Sequence, residues 1–300
     1  MALLDLIHKF LNVVALPFTF FSLCLLLPPY SFFKLFLYFF NFIFSEDFAR
    51  KVVLITGASS GIGEVRARLS LAARRESSLR EVVDRALDYG SPDVLMIPGD
   101  VSNVEDCARI VEETINHSGR LDHLVNNAGI NSVCMFEEAT DITAFRTIMD
   151  TNFWGSAYTI RFTLAYLRES RGKWPTPRMS FYNSEMTQGK FLLKEGKMQE
   201  VDQDLRDVQL SAIPVETAGA CAAAIVKSAC RGDRYLTEPA WFKVIYFWKV
   251  FFPEVIEWCY RLMYMNSSPQ EAPSKKILDL TGAKNILHPS TLHTSEIKTD

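Results

Sequence analysis

The sequence has no excess of positive charge, no paired cysteines and few histidines, and each shortage closes off a class of function. Lys and Arg number 32 against 35 Asp and Glu, for a formal net charge of -3. Nucleic-acid binding leans on clustered basic side chains, so no nucleic-acid partner is expected. The cysteines Cys24, Cys107, Cys134, Cys221, Cys230 and Cys259 are scattered, with no Cys-x-x-Cys pair and no histidine at ligand spacing. Reduced, mostly buried thiols are expected, in a cytosol-facing domain without structural zinc or any other metal. An apolar content of 48% with 22% charged residues excludes intrinsic disorder and suits one globular domain with an appendage.

Charge is absent altogether from Phe10 to Leu27, and a second apolar run extends from Leu35 to Phe44 after Lys34. The first run is long enough to cross a hydrocarbon layer, which takes roughly 20 residues. A cleaved signal peptide competes with this reading, but the region is long, Phe-rich, and lacks a small-x-small site before Ser45. Pro17, Pro28 and Pro29 interrupt the stretch, and proline removes a backbone donor. Two forms stay open: a hairpin dipping into one monolayer, or a span followed by an interfacial aromatic segment. One uninterrupted helix over Phe10 to Phe44 is not expected. Lys34 is expected to snorkel, and Arg50 and Lys51 favour a cytosolic position for the chain beyond them.

Next, Lys51-Val-Val-Leu-Ile-Thr56-Gly57-Ala-Ser59-Ser60-Gly61-Ile62-Gly63 reads as a buried strand feeding a glycine-rich turn. Glycine lets the backbone turn tightly and approach a pyrophosphate, and amides at a helix start favour negative charge. Two further strands, Val94 to Ile97 and Leu121 to Val125, end in Gly99-Asp100-Val101 and Asn126-Asn127-Ala128-Gly129. Open α/β sheets bind ligands outside the carboxyl ends of their strands. Asp100 can accept from an adenine amino group, or simply cap a helix from Val104 to His117; Asn127, Ala128 and Gly129 can line a cofactor with backbone.

These motifs, in this order and with Asn152, resemble those of the short-chain dehydrogenases over roughly Lys51 to Pro239. With its proline-punctuated apolar leader, the chain is similar to the steroleosins, lipid-droplet proteins akin to the 11β-hydroxysteroid dehydrogenases. The resemblance implies an α/β fold with a doubly wound, Rossmann-like parallel sheet, here incomplete, behind a membrane-anchoring helical segment. It implies an NADP-dependent oxidoreductase acting on a sterol-like alcohol or ketone at the endoplasmic reticulum membrane or a lipid droplet. Gly57, Ser59, Ser60, Gly61, Ile62, Gly63, Asp100, Val101, Asn127, Ala128 and Gly129 would bind the cofactor. Arg74, with Arg75 beside it, resembles the NADP-preferring members, since a guanidinium pairs a ribose 2'-phosphate. A homodimer is compatible with the sequence.

Tyr182 resembles the family's catalytic tyrosine and Asn152 its relay asparagine. The family pairs that tyrosine with a lysine four residues on, which lowers its pKa. Met186 stands there instead. Lys190 would lie about 12 Å along a helix from Tyr182. The family's serine, at the end of a strand before the tyrosine, has no counterpart, because Gly172-Lys-Trp-Pro175-Thr-Pro177 leaves no room for a strand. The Pro-Gly stretch beside the nicotinamide ring is absent too. After Gly63 only Glu64 to Ala67 precede a candidate strand Arg68 to Ala73, short for a parallel crossover. Val65, Leu69, Ala72, Leu79, Val83 and Ala86 also fall at helical spacing, so one helix from Glu64 to Tyr89 is the preferred reading.

Val215 to Cys230 reads as a small-residue helix and Arg234 to Thr237 as a returning strand. Trp241 to Tyr264 is dense in aromatics with Lys243, Lys249 and Arg261 between them, fitting core packing, a lid, or a membrane contact. The expected organisation is a membrane anchor at 1–44, the nucleotide-binding domain at 45–239, an aromatic helical segment at 240–265 and a loose tail at 266–300. Three functions compete: an impaired NADP-dependent oxidoreductase, a noncatalytic membrane protein with residual nucleotide binding, and the product of a shortened transcript.

Overall fold

A computed structural model of the chain describes residues 2–43, 51–59, 67–132, 141–170, 176–179, 235–238 and 240–264, with single positions at 224, 225, 228, 276 and 280. The chain divides into two compact units, Met1–Glu46 and Asp47–Asp300. The first contains one helix, α1 (Ala2–Ile43), with Pro17, Pro28 and Pro29 inside it. The prolines do not break it, contrary to the sequence reading. Each removes only one intrahelical bond, to the carbonyls of Val13, Cys24 and Leu25, and the adjacent pair confines its losses to a single turn. Among the described residues, Pro17–Leu37 of α1 is long and apolar enough to cross a membrane. Within it, Lys34 lays its ammonium over the Tyr30 ring at 5.3 Å, which eases the presence of a lone cation among apolar neighbours.

The second unit is built on a parallel sheet. β1 (Val52–Thr56) is buried on both faces, as its β-branched run leads one to expect. β2 (Arg68–Ala73) pairs with it, from Val52 opposite Arg68 to Thr56 opposite Ala72. A single helix over Glu64–Tyr89 is therefore not formed; α2 covers only Glu76–Asp88. A strand buried on both faces reads as a continuous apolar run and mimics helical spacing, and here its pairing with both neighbours outweighs that periodicity. The chain between β1 and β2 is long enough for a parallel crossover, since the 11 residues numbered 57 to 67 can span more than the length of a strand of about 13 Å.

β3 (Asp93–Pro98) pairs with β2, and β4 (His123–Asn126) with β1, giving the order β3-β2-β1-β4. That is the first half of a doubly wound sheet, whose strand order reverses between β1 and β4. α3 (Val104–Ser118) joins β3 to β4, capped by Asn103, whose side chain accepts from the amides of Glu105 and Asp106, and closed by Gly119 at φ 71°. Asn103, not Asp100, is thus the cap. After a 3-10 turn (Ile142–Ala144) come α4 (Phe145–Met149), a π turn (Asp150–Trp154) and α5 (Gly155–Glu169).

The two faces of the sheet carry separate cores. Val53, Ile55, Leu69 and Leu71 pack with Leu79, Val82 and Ala86 of α2, together with Ile225 and Leu236. Val52, Leu54 and Ile97 pack with Ile110 and Val111 of α3 and Leu167 of α5. Burying each such side chain is worth about 1.5–3 kcal/mol. Helices on both faces hold the strand ends rigidly in one plane, which is what a site at those ends needs. A second sheet pairs β5 (Thr176–Met179) in parallel with β6 (Tyr235–Glu238). The sequence reading allowed no strand at the proline-rich join. Both strands of a two-stranded ribbon are edges, where Pro177 without its N–H is tolerated. α6 (Lys243–Phe251) and α7 (Pro253–Tyr264) come next.

Candidate functional site

Parallel pairing sets Thr56 opposite Ala72 and Asn126, and Ala73 opposite Pro98, so all strands of the larger sheet finish at one edge. Gly57 to Ser59, Arg74 and Arg75, Gly99 to Val101, and Asn127 to Gly129 are the residues just beyond those ends. Tyr182, Ser60, Gly61, Ile62 and Gly63 lie outside the described residues, as do Met186, Lys190 and, apart from positions 276 and 280, the tail expected from 266.

At the switch point the turns after β1 and β4 interlock. Gly57 has φ +64°, and a Cβ there would lie 2.5 Å from the Ala128 Cα. The Asn127 side-chain amide donates to the carbonyls of Gly57 (3.0 Å) and Thr56 (3.3 Å). The backbone amides of Asn127 and Ala128 donate to the Thr56 hydroxyl at 3.2 and 3.3 Å. Thr56 thus does more than end a strand, a role the sequence reading missed. Asn126 is held from behind, its Oδ1 accepting from the Thr159 hydroxyl at 2.8 Å.

At the end of β3, the Asp100 Oδ1 accepts from the amide (2.9 Å) and hydroxyl (2.8 Å) of Ser102. Its Oδ2 stands 3.8 Å from Arg74 Nη1, an exposed ion pair. The Asp100 amide donates to Asp106 Oδ2, and Arg109 donates to Asp106 Oδ1 and to the Pro98 carbonyl. The Asp100 amide first, and Arg109 second, hold the Asp106 carboxyl below its usual range. Val101 is buried and presses on Gly155, where a Cβ would meet Val101 Cγ2 at 2.8 Å. A glycine inside a helical pattern is the signal that could have revealed this close approach. Beneath, the Cys107 thiol donates to the Val101 carbonyl, and burial, then Asp106 and Asp100, push its pKa up to about 11.

Arg74 and Arg75 come directly after β2 as the resemblance implies, and Arg75 Nη2 donates to the Ser59 hydroxyl at 3.2 Å, linking the end of β2 to the glycine turn. Asn152 lies in the π turn, a distortion often found at functional sites. Its amide bonds Ile130 at both ends, Oδ1 accepting from the amide (2.9 Å) and Nδ2 donating to the carbonyl (2.8 Å). It thereby braces the chain just beyond Gly129. Glycine where backbone must come close, an acceptor at the end of β3 and a cation at the end of β2 fit a dinucleotide lying across the switch point. No group of three or more His, Cys, Asp or Glu among the described residues could hold a metal.

Comparison with known proteins agrees with this geometry. The short chain dehydrogenase family matches residues 51–173. The chain is 50% identical to 11-beta-hydroxysteroid dehydrogenase A of Sesamum indicum over 350 positions, spanning 99% of this chain and 100% of that protein. It is 47% identical to 11-beta-hydroxysteroid dehydrogenase 1A of Arabidopsis thaliana with the same coverage. A dehydrogenase/reductase from Sinorhizobium meliloti 1021 shares the fold, with a TM-score of 0.51 at 19% identity, covering 62% of this chain and 92% of that one. Since 350 positions are aligned against a chain of 300 residues, at least 50 of them have no residue here.

Proposed function

Since this chain belongs to the short-chain dehydrogenase family of oxidoreductases, we propose that it is an NADP(H)-binding, hydroxysteroid dehydrogenase-type protein held at a lipid surface, with slow turnover. The observation that carries this is the interlock of Gly57 with Asn127 and Ala128 at the point where strand order reverses. The bound nicotinamide would supply the hydride. Gly57 would let backbone approach the pyrophosphate, Asp100 would accept from the adenine, and Arg74 would turn from Asp100 to the ribose 2'-phosphate. Ser59 to Gly63 would complete the phosphate cradle and Asn127 to Gly129 its opposite wall. Tyr182 would pass the proton at the substrate oxygen, with Asn152 holding the adjoining backbone.

The names of the relatives support a sterol-like alcohol or ketone as substrate. The apolar α1 supports anchoring in the endoplasmic reticulum membrane or on a lipid droplet, with Arg50 and Lys51 favouring a cytosolic catalytic unit. Met186, standing where the family has its lysine, supports the impairment. A tyrosine with pKa about 10 is a poor base near neutrality without a cation beside it. The positions missing relative to the relatives fit the three short joins after Gly63, near Trp174 and after Asn183. The same features favour a second reading, nucleotide binding without turnover.

Purified full-length protein in detergent separates these readings. Nucleotide titration should show NADP(H) binding more tightly than NAD(H), and steroid oxidation should be slow and abolished by Tyr182→Phe. Rapid NADP-dependent turnover would refute the impairment, and equal affinity for both cofactors would remove the assignment of Arg74. Binding with no turnover at all would establish the second reading. Deleting 1–44 should move the protein out of the alkali-resistant membrane fraction unless another segment also binds lipid.

A further inference from the structure

α6 has the sequence Lys243-Val-Ile-Tyr-Phe-Trp-Lys-Val-Phe251. Core packing, one of the uses open to it from sequence alone, is not seen among the described residues. Phe247 is 63% exposed, Val250 72% and Phe251 67%, with Val244, Tyr246 and Trp248 exposed as well. At 100° per residue these positions spread over an arc of about 200° of the helix, wider than the roughly 100° stripe a helix turns toward a protein core. Such a surface calls for an apolar covering over more than half of the helix, while the lysines need a polar one. Nine residues rise only about 14 Å, against roughly 30 Å for a hydrocarbon core, so α6 is too short to span.

We infer that α6 lies lengthwise in the headgroup–acyl boundary of a phospholipid surface, giving the second unit a lipid contact of its own. Charge selects this occupant. α6 carries Lys243 and Lys249 and no acidic residue, so apposing two copies brings like charges together, whereas lipid phosphates complement them. Trp241, Trp248 and Trp258 are exposed and of the type that settles at headgroup level, apolar ring inward and N–H outward. α7 turns the polar side to water: Glu254, Glu257 and Arg261 recur at helical spacing, with Arg261 donating to Glu257. The contact does not depend on α1.

The test uses the full-length protein in vesicles of phosphatidylcholine and phosphatidylserine carrying a phospholipid with a photoactivatable diazirine on its acyl chain. After illumination, peptide mapping should find adducts between Lys243 and Phe252 as well as within Pro17–Leu37. Val250→Asp with Phe251→Asp should lower the yield in α6 about tenfold while leaving that of α1 unchanged. Adducts in α1 with none in α6 would overturn the inference and leave the anchor standing. Adducts in α6 with none in α1 would uphold it and refute the anchor. Labelling of α6 that falls as protein per vesicle rises would show a second copy covering it, and would also overturn it.

Discussion

A methyl group on Gly57 would overlap the backbone of Ala128, at 2.5 Å from Cα and 2.7 Å from N. The turns after β1 and β4 therefore close on each other only because position 57 has no side chain. Gly57→Ala should lower unfolding free energy by more than the roughly 1–2 kcal/mol that the left-handed conformation itself costs. Gly119 isolates that conformational cost, since it has φ +71° and a methyl there would meet nothing within 4 Å. Urea unfolding of the two variants should show Gly57→Ala the more damaged, with loss of nucleotide binding in that variant alone. Equal losses would mean that the turns separate freely.

Asn152 holds Ile130 at both backbone groups. Asn152→Ala should remove both bonds, and Asn152→Asp should keep the acceptor while setting a carboxylate against the Ile130 carbonyl. At about 1 kcal/mol per net hydrogen bond, reduced by its partial solvent exposure, we expect a loss of about 1–2 kcal/mol for either variant. Amide hydrogen exchange at Ile130 should accelerate in Asn152→Ala. Unchanged protection there would show that the π turn, and not this side chain, fixes the segment.

The sheet is legible in the sequence to the extent that pairing leaves a local mark. The β-branched run before Gly57 can be read directly, whereas the cap of α3 cannot, because Asp100 and Asn103 are both acceptors shortly before Val104 and only the fold gives the amides of Glu105 and Asp106 to Asn103. β2 cannot, because Leu69 and Ala72 sit on opposite faces of a strand buried on both sides, and only β1 and β3 distinguish that from a helix. The strand ends reveal which residues gather, but not how they are engaged. That Thr56 receives two amides, or that Arg74 reaches Asp100, depends on contacts between segments tens of residues apart. Gly155 is the exception, since a glycine in a helical stretch carries a local signal of the close approach it permits.

Asp106 gives the fold an acid-sensitive latch. The Asp100 amide and Arg109 hold its carboxyl below the ordinary 3.8. A carboxylate depressed in the folded state contributes stability above its unfolded pKa, and that contribution fades as pH falls through the lower folded value. Stability should therefore drop below about pH 4, and Asp106→Asn should flatten part of that drop. Unfolding free energy measured by urea titration between pH 3 and 6 checks it; identical slopes for the two proteins would remove Asp106 from the account.

Cys107 is buried, donates to the Val101 carbonyl, and has its pKa pushed up to about 11 by burial and by Asp106 and Asp100. Since the thiolate is the nucleophile, iodoacetamide at pH 8 should leave Cys107 unmodified in the folded protein and alkylate it in urea. Peptide mapping should find Cys259, which is partly exposed, modified before Cys107. Early modification of Cys107 would mean that the Val101 turn opens readily.

The Arg74–Asp100 ion pair makes a last prediction that bears on cofactor choice. The two groups stand 3.8 Å apart and both are substantially exposed, so the pair contributes little to stability and can open at low cost. If Arg74 pairs the 2'-phosphate of NADP, it must leave Asp100, and Asp100 competes with the cofactor for it. Removing the competitor by Asp100→Asn should then raise the ratio of NADP to NAD affinity, even if both affinities fall through loss of the adenine contact. Arg74→Glu should lower the ratio, because the new carboxylate repels the phosphate. A change of about threefold to tenfold in each direction corresponds to about 0.7–1.4 kcal/mol, a reasonable scale for one solvent-screened charge. Calorimetric titration of both nucleotides on the three proteins measures the ratio directly. Ratios that move the same way in both variants would mean that Arg74 serves Asp100 alone and that Arg75, bonded to Ser59, is the better place to look for phosphate recognition.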